Sequence, residues 1–215
     1  MPVNSIRRVI AAAAAVAALF SSGASAQSTS AATDTTRFVI LFSNRPAGHL
    51  KVWREGKEIV SDYEFNDRGR GPHIVERMTA NESGYLTNAL IRGHSYFKDS
   101  VDERFSYANG TASWKNHVEG ESSAVRALPF YMSLDGTPAE NDPFLQAVFA
   151  GGGRPLPLFP TGEATIEKVR DLEIAGPGSA KKTVSLYAIS GLGFAPVYLW
   201  LDSDRHYFAN VSSWS

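Results

Sequence analysis

Turn signals recur about every eight to twelve residues along most of this chain, a spacing that fits an antiparallel β meander. Asn44-Arg45-Pro46-Ala47-Gly48, Glu55-Gly56-Lys57-Glu58, Asn81-Glu82-Ser83-Gly84 and Ala108-Asn109-Gly110 each separate short apolar or alternating runs. The runs between them, Arg37–Ser43, Leu50–Arg54, Ile59–Asn66, Ile74–Ala80, Tyr85–Gly93, Glu103–Tyr107 and Thr111–Trp114, read as strands. Asn109-Gly110 is a strong hairpin signal, because a tight primed turn needs positive φ at both central residues. His94–Val101 and Asn116–Ser123 read as loops.

The pattern breaks once. Pro138–Phe149 has helical spacing at Phe144, Leu145, Val148 and Phe149, and Gly151-Gly152-Gly153 stops it. Pro155–Pro160 is too proline-rich for a central strand and reads as an extended crossover. Strands resume at Ala164–Arg170, Asp171–Ala175, Lys182–Ser190, Tyr198–Asp202 and Tyr207–Val211. The expected fold is mainly β: a large curved antiparallel sheet or open barrel of about ten strands, with one short helix.

Arg7 and Arg8 precede the apolar run Val9–Phe20, and Ala24-Ser25-Ala26 is a small-residue cleavage site, so residues 1–26 read as a signal peptide. The apolar run is about a dozen residues, short of the ~20 that a membrane helix needs. Export to the periplasm or beyond follows, with cleavage near Ala26 and no membrane span in the remainder. Residues 27–36, rich in Ser, Thr and Ala, read as a flexible linker, and 37–215 as a single β-rich domain. Formal charge is −1, and loss of Arg7 and Arg8 with the leader makes it −3. Such a chain has no electrostatic drive toward nucleic acid. It has no cysteine, which excludes disulfides, thiolate catalysis and cysteine metal sites.

Charge and backbone constraint are densest at Tyr63–His73, where Asp67, Arg68 and Arg70 crowd between Gly69, Gly71 and Pro72. Two readings stand for that bend. Its arginines are solvated or paired to nearby carboxylates, or they form a docking point for an anion, since a guanidinium fork suits bidentate contacts. Glu103 and Arg104 are a second adjacent pair, and a strand sends them to opposite faces. Glu103 shares a face with Phe105, so it is expected to point inward and to take an ion pair from Arg68 or Arg70. The candidate binding residues are therefore Asp67, Arg68, Arg70, Glu103 and Arg104.

Other constellations are weaker. No Gly-x-Ser-x-Gly elbow is present, so the serines make no defensible hydrolase triad. His49, His73, His94, His117 and His206 lie far apart in sequence, without local metal-ligand spacing. No catalytic residue, metal ligand or cofactor is assigned to this chain. Trp53, Trp114, Trp200 and Trp214 read as packing residues.

Several stretches in order resemble a known family. They are Asn66-Asp67-Arg68-Gly69-Arg70-Gly71-Pro72, Glu103-Arg104-Phe105, Gly110-Thr111-Ala112-Ser113-Trp114, Leu156-Pro157-Leu158, Gly162-Glu163-Ala164, Gly191-Leu192, Pro196 and Trp200-Leu201-Asp202. Together they resemble the N-terminal β-rich region of exported bacterial amidohydrolases, from about Phe38 to Trp214. That family's metal-dependent barrel needs a His-x-His pair, which this sequence lacks. It would also need ~250 residues of alternating strands and helices. The resemblance therefore implies a non-catalytic accessory domain packing on a barrel, in the same chain or separate, that these residues do not contain. The alternative is a free-standing periplasmic module holding a lipid or other small hydrophobic ligand, its pocket lined by Phe65, Phe97, Phe105 and Trp114. A deep enclosed cavity would favour that module, and a filled core with an outward apolar patch the accessory domain.

Overall fold

The computed structural model describes residues 34–176, 178 and 180–211. The expected leader and most of the expected linker lie outside them, as does Trp214. The first sheet is an antiparallel meander of eight strands in sequence order. These are β1 (Thr36–Phe42), β2 (Arg45–Glu55), β3 (Glu58–Phe65), β4 (His73–Ala80), β5 (Leu86–His94), β6 (Ser100–Ala108), β7 (Thr111–Lys115) and β8 (Gly120–Ala124). β9 (Phe130–Tyr131) then leads through a short 3-10 turn (Pro138–Glu140) into the helix α1 (Asn141–Ala150). The remaining strands are β10 (Leu156–Phe159), β11 (Glu163–Ala175), β12 (Lys181–Ser190), β13 (Val197–Leu201) and β14 (Tyr207–Asn210). They form a second sheet in the order β14-β13-β12-β11-β10-β9. The fold is mainly β, with a large antiparallel sheet and one short α-helix, as the turn spacing predicts.

Three local readings need correction. Residues 120–124 are a strand, not loop, because β7 has an open edge that they complete. Leu156–Phe159 is a strand inside the second sheet. Pro157 is tolerated there because β10 pairs β11 only through Leu156 and Pro157, and β9 only through Leu158 and Phe159; at the proline the strand has one partner. The two strands expected over residues 164–175 are one, β11, with a register shift between Lys168 and Arg170. Val169 is the extra residue of a bulge, which reads in sequence as a break in alternation.

Helix α1 buries Phe144, Leu145, Ala147 and Val148, at the i, i+3, i+4 spacing of one helical face. They join Leu50, Met78 and Phe105 of the first sheet and Ala164, Ile189, Leu199 and Leu201 of the second in one apolar cluster. Burying each large side chain fully contributes roughly 1.5–3 kcal/mol. Phe105 stacks on Tyr131 with ring centroids 4.2 Å apart and planes 5° from parallel, and Phe130 meets Phe144 edge-on at 5.3 Å. The turn between β4 and β5 comes close enough to the helix that a Cβ on Gly84 would lie 2.3 Å from the Pro143 carbonyl oxygen. The inner face of the first sheet is thus filled by side chains from α1, β9 and β10.

Candidate functional site

The five candidate binding residues fall into three separate places. Asp67 and Arg70 exchange backbone hydrogen bonds of 2.7 and 3.0 Å around Arg68 and Gly69, whose φ angles are 52° and 87°. Both central residues are left-handed, as a two-residue primed turn requires. The Asp67 carboxylate is buried, and its oxygens are taken. It accepts from Arg68 Nε at 2.9 Å and from the Tyr96 hydroxyl at 2.7 Å, with Arg70 Nη2 at 3.7 Å. Arg70 also lies over the Tyr96 ring, 5.4 Å from its centroid. Lys98 donates to the Gly71 carbonyl at 2.8 Å, and a Cβ on Gly71 would sit 2.0 Å from the Phe65 oxygen. The bend is a knot tied by its own carboxylate, with Arg68 77% and Arg70 50% exposed at its surface.

The Arg68 guanidinium, then Tyr96, hold the Asp67 carboxyl below its ordinary value of 3.8. A depressed carboxylate stabilises the fold above that value, and the contribution is lost as pH falls through the lowered one. Asp67→Asn is therefore expected to lower the melting temperature at neutral pH and to flatten its decline below about pH 4. Thermal melts across that range check both, and an Asn variant with the parent's acid limb counts against the knot.

Arg104 faces outward on β6, pairs with Asp102 at 3.2 Å and lines a shallow depression of ≈ 370 Å³ with Trp114 and Lys115. Glu103, its neighbour, is fully buried on the inner face. Its inward direction follows from alternation, but the expected pairing with Arg68 or Arg70 is not made. Arg68 is committed to Asp67 at the sheet's rim. Glu103 instead accepts a short hydrogen bond from the Tyr131 hydroxyl and further bonds from the backbone of Leu134 at 2.9 Å and Asp135 at 3.2 Å.

Glu103 belongs to a polar seam. Register places Ser61, Glu76, Ile91 and Glu103 in one row across β3, β4, β5 and β6. Ser61, Glu76 and Glu103 are fully buried there, amid otherwise apolar packing. The segment after β9 crosses over this row. Thr137 donates to Glu76 Oε2 through its backbone N–H at 3.0 Å and its hydroxyl at 2.7 Å. The same hydroxyl oxygen accepts from Ala139 N at 3.2 Å and lies 2.8 Å from Ser61 Oγ, which leaves Ser61 as the donor. The buried Glu140 closes over the same site, and its carboxyl and that of Glu76 bear on each other's ionisation. Glu76 Oε1 and Glu140 Oε1 find no ordinary donor among the described residues. Burial pushes the carboxyls of Glu76 and Glu140 up, the second strongly, with Glu76 and Glu103 adding to it by repulsion. A Cβ on Gly136 would lie 2.0 Å from Ser133 Oγ and 2.5 Å from Glu140 Oε1, so a larger residue there would displace these side chains.

Two features escape sequence reasoning. His49, His73 and His94 share one outer row across β2, β4 and β5. His49 and His73 flank Asp62 at 3.2 and 3.0 Å, Lys51 bonds the same carboxylate at 3.2 Å, and the His73 and His94 rings lie 6.1 Å apart. Register brings them together; spacing along the chain does not. No group of three or more His, Cys, Asp or Glu among the described residues is placed to hold a metal ion. The second feature is an open cleft of ≈ 530 Å³ where the β2–β3 end meets α1, lined by Trp53, Arg54, Ile59, Asn81, Asp142 and Gln146 among others. Of the aromatics expected to line a pocket, Phe105 and Trp114 are cross-strand partners that both border the ≈ 370 Å³ depression, and the other two lie elsewhere. Phe105 is in the core, Phe97 is 72% exposed, and Phe65 packs beside Tyr96 at the bend.

No family model matches the chain, and no curated protein matches it. Among solved structures it is similar to the crystal structure of a DUF1089 family protein from Pseudomonas aeruginosa, at 14% identity and a TM-score of 0.43, over 81% of this chain and 95% of that one. No described helix is long and apolar enough to cross a membrane.

Proposed function

We propose that this chain is a non-catalytic β module of an exported amidohydrolase-like protein, packing on a metal-dependent barrel through the outer face of its second sheet. One observation carries the reading: the interior is filled, yet apolar side chains continue on the outside. On the face turned away from the core Leu186 pairs with Trp200 and Ala188 with Tyr198, while Leu172 lies over the buried Val184. Leu172 is 42% and Tyr198 46% exposed, and Phe194, in the connection between β12 and β13, is fully exposed. Contiguous outward apolar residues of this kind mark interaction surfaces. The ordered motifs that resemble the amidohydrolase region name the partner.

The cleft beside α1 favours a second reading, a binding module for a small ligand. Its volume is in the range of ligand sites, and Arg54 and His206 are among the residues that line it.

One experiment separates the two: sequencing the reading frame past Ser215, with native mass spectrometry of the exported product. An exported chain longer by roughly 250 residues and carrying a His-x-His pair is the expected result. A product that ends at Ser215 and retains a small molecule overturns the accessory reading in favour of the cleft.

A further inference from the structure

We propose that the segment from Tyr131 to Glu140 is a pH-operated latch, held on the inner face of the first sheet by one proton shared between Glu76 and Glu140. The geometry is that of a clasp. Glu103 and Glu76, two rungs apart in the same row, accept the backbone N–H groups of Leu134, Asp135 and Thr137. Glu140 closes the clasp from the far end of the segment, its carboxyl seated against Gly136, where a Cβ would displace it. The titratable groups facing this site are Glu76 from β4, Glu103 from β6, Tyr131 from β9 and Glu140 from the 3-10 turn. Among the described residues no Lys, Arg or His forms an ion pair with Glu76 or Glu140, and the largest charge effects on Glu140 come from Glu76 and Glu103.

Two neighbouring carboxylates in a water-poor interior, Glu76 and Glu140, cannot both ionise at low cost while the segment stays closed. Paired carboxylates at close range keep a proton between them, because like charges disfavour the second ionisation. That proton accounts for the two buried oxygens that lack an ordinary donor, Glu76 Oε1 and Glu140 Oε1. One carboxyl donates and the other accepts. Removing the proton leaves repulsion that only water can relieve, and water enters when the segment lifts. Both groups are shifted upward by burial. The closed form therefore keeps a proton that the open form releases above the ordinary glutamate value of 4.5. Its advantage is complete below that value and is lost as pH rises through the raised one. Segment release would also free the entry to α1, which begins at the next residue, Asn141.

Amide hydrogen exchange on the intact chain tests this, because the latched amides are its own reporters. Protection factors of Leu134, Asp135 and Thr137, corrected for intrinsic exchange, are measured from about pH 5 to about pH 9. One linked proton makes the opening constant rise about tenfold per pH unit from just above the ordinary glutamate value until the raised value is passed, after which it levels off. The ladder amides of Glu76 and Ile91 hold their protection meanwhile. In Glu140→Gln, and independently in Glu76→Gln, an amide supplies the hydrogen without titrating, so the latch stays closed and the slope disappears. Protection that does not change with pH in the parent chain overturns the proposal, and that measurement needs no variant. So does an unchanged slope in either glutamine variant, or a fall in the ladder amides parallel to the segment's, which would mean global unfolding.

Discussion

Glu103→Leu is expected to lower the unfolding free energy by about 3–5 kcal/mol, although it replaces a charged group by an apolar one of similar size. The fully buried carboxylate is the acceptor for three donors: the Tyr131 hydroxyl and the backbone N–H groups of Leu134 and Asp135. Leucine fills the volume but accepts nothing. Each orphaned donor in the interior costs ~1–3 kcal/mol, and partial water entry keeps the sum toward the lower half of that range. For a domain of this size the loss appears as a fall in melting temperature of roughly 10 °C. Glu103→Gln keeps one oxygen for Tyr131 and is expected to cost only ~1 kcal/mol. Arg104→Leu, one residue along and on the outer face, should change stability by less than ~0.5 kcal/mol, because its pair with Asp102 is exposed. Urea midpoints of the three variants decide the matter. A Leu variant as stable as the parent would mean that the seam holds nothing together.

How far this was legible in the sequence differs by level. Strand periodicity and turn residues carry the fold class, because alternation and Gly-rich turns are local properties. The helix and its C-terminal end are legible for the same reason, with Gly151 closing α1 through a hydrogen bond from its N–H to the Ala147 carbonyl. The expected start at Pro138 is instead a 3-10 turn, and α1 begins at Asn141. Glu103 could be placed on the inner face by counting from Phe105, but its partner could not be named. The donors come from 28 to 32 residues further on, in a segment with no periodic signal. Alternation gives a side chain's face; only register gives its neighbours. The same limit hides the row of His49, His73 and His94, which looks scattered along the chain and is adjacent across strands. At the bend the density of charge is legible, but that the Asp67 carboxylate is held by Arg68 and by Tyr96, 29 residues further on, is not.

Phe105→Ala is expected to cost about 3–5 kcal/mol, and what it does to Tyr131 distinguishes it from an ordinary cavity. Phe105 is 1% exposed, stacked on Tyr131 at 4.2 Å and 6.0 Å from the Phe159 ring. The stack sets the plane of the Tyr131 ring, and that plane aims the hydroxyl at Glu103, two residues from Phe105 on the same face. Truncation removes the ring contact and also frees Tyr131 to swing, so part of the seam should loosen with the core. A double-mutant cycle with Tyr131→Phe makes this measurable. If the two sites act independently, their costs add within about 0.5 kcal/mol. The stacked arrangement predicts otherwise. Once Phe105 is gone, the hydroxyl no longer holds its bond firmly, and deleting it costs less than in the parent chain. A coupling energy of about 1 kcal/mol or more in that direction is expected. Strict additivity would show that core and seam are merely neighbours. Coupling would show that one apolar side chain holds in place the tyrosine through which the sheet grips the segment above it.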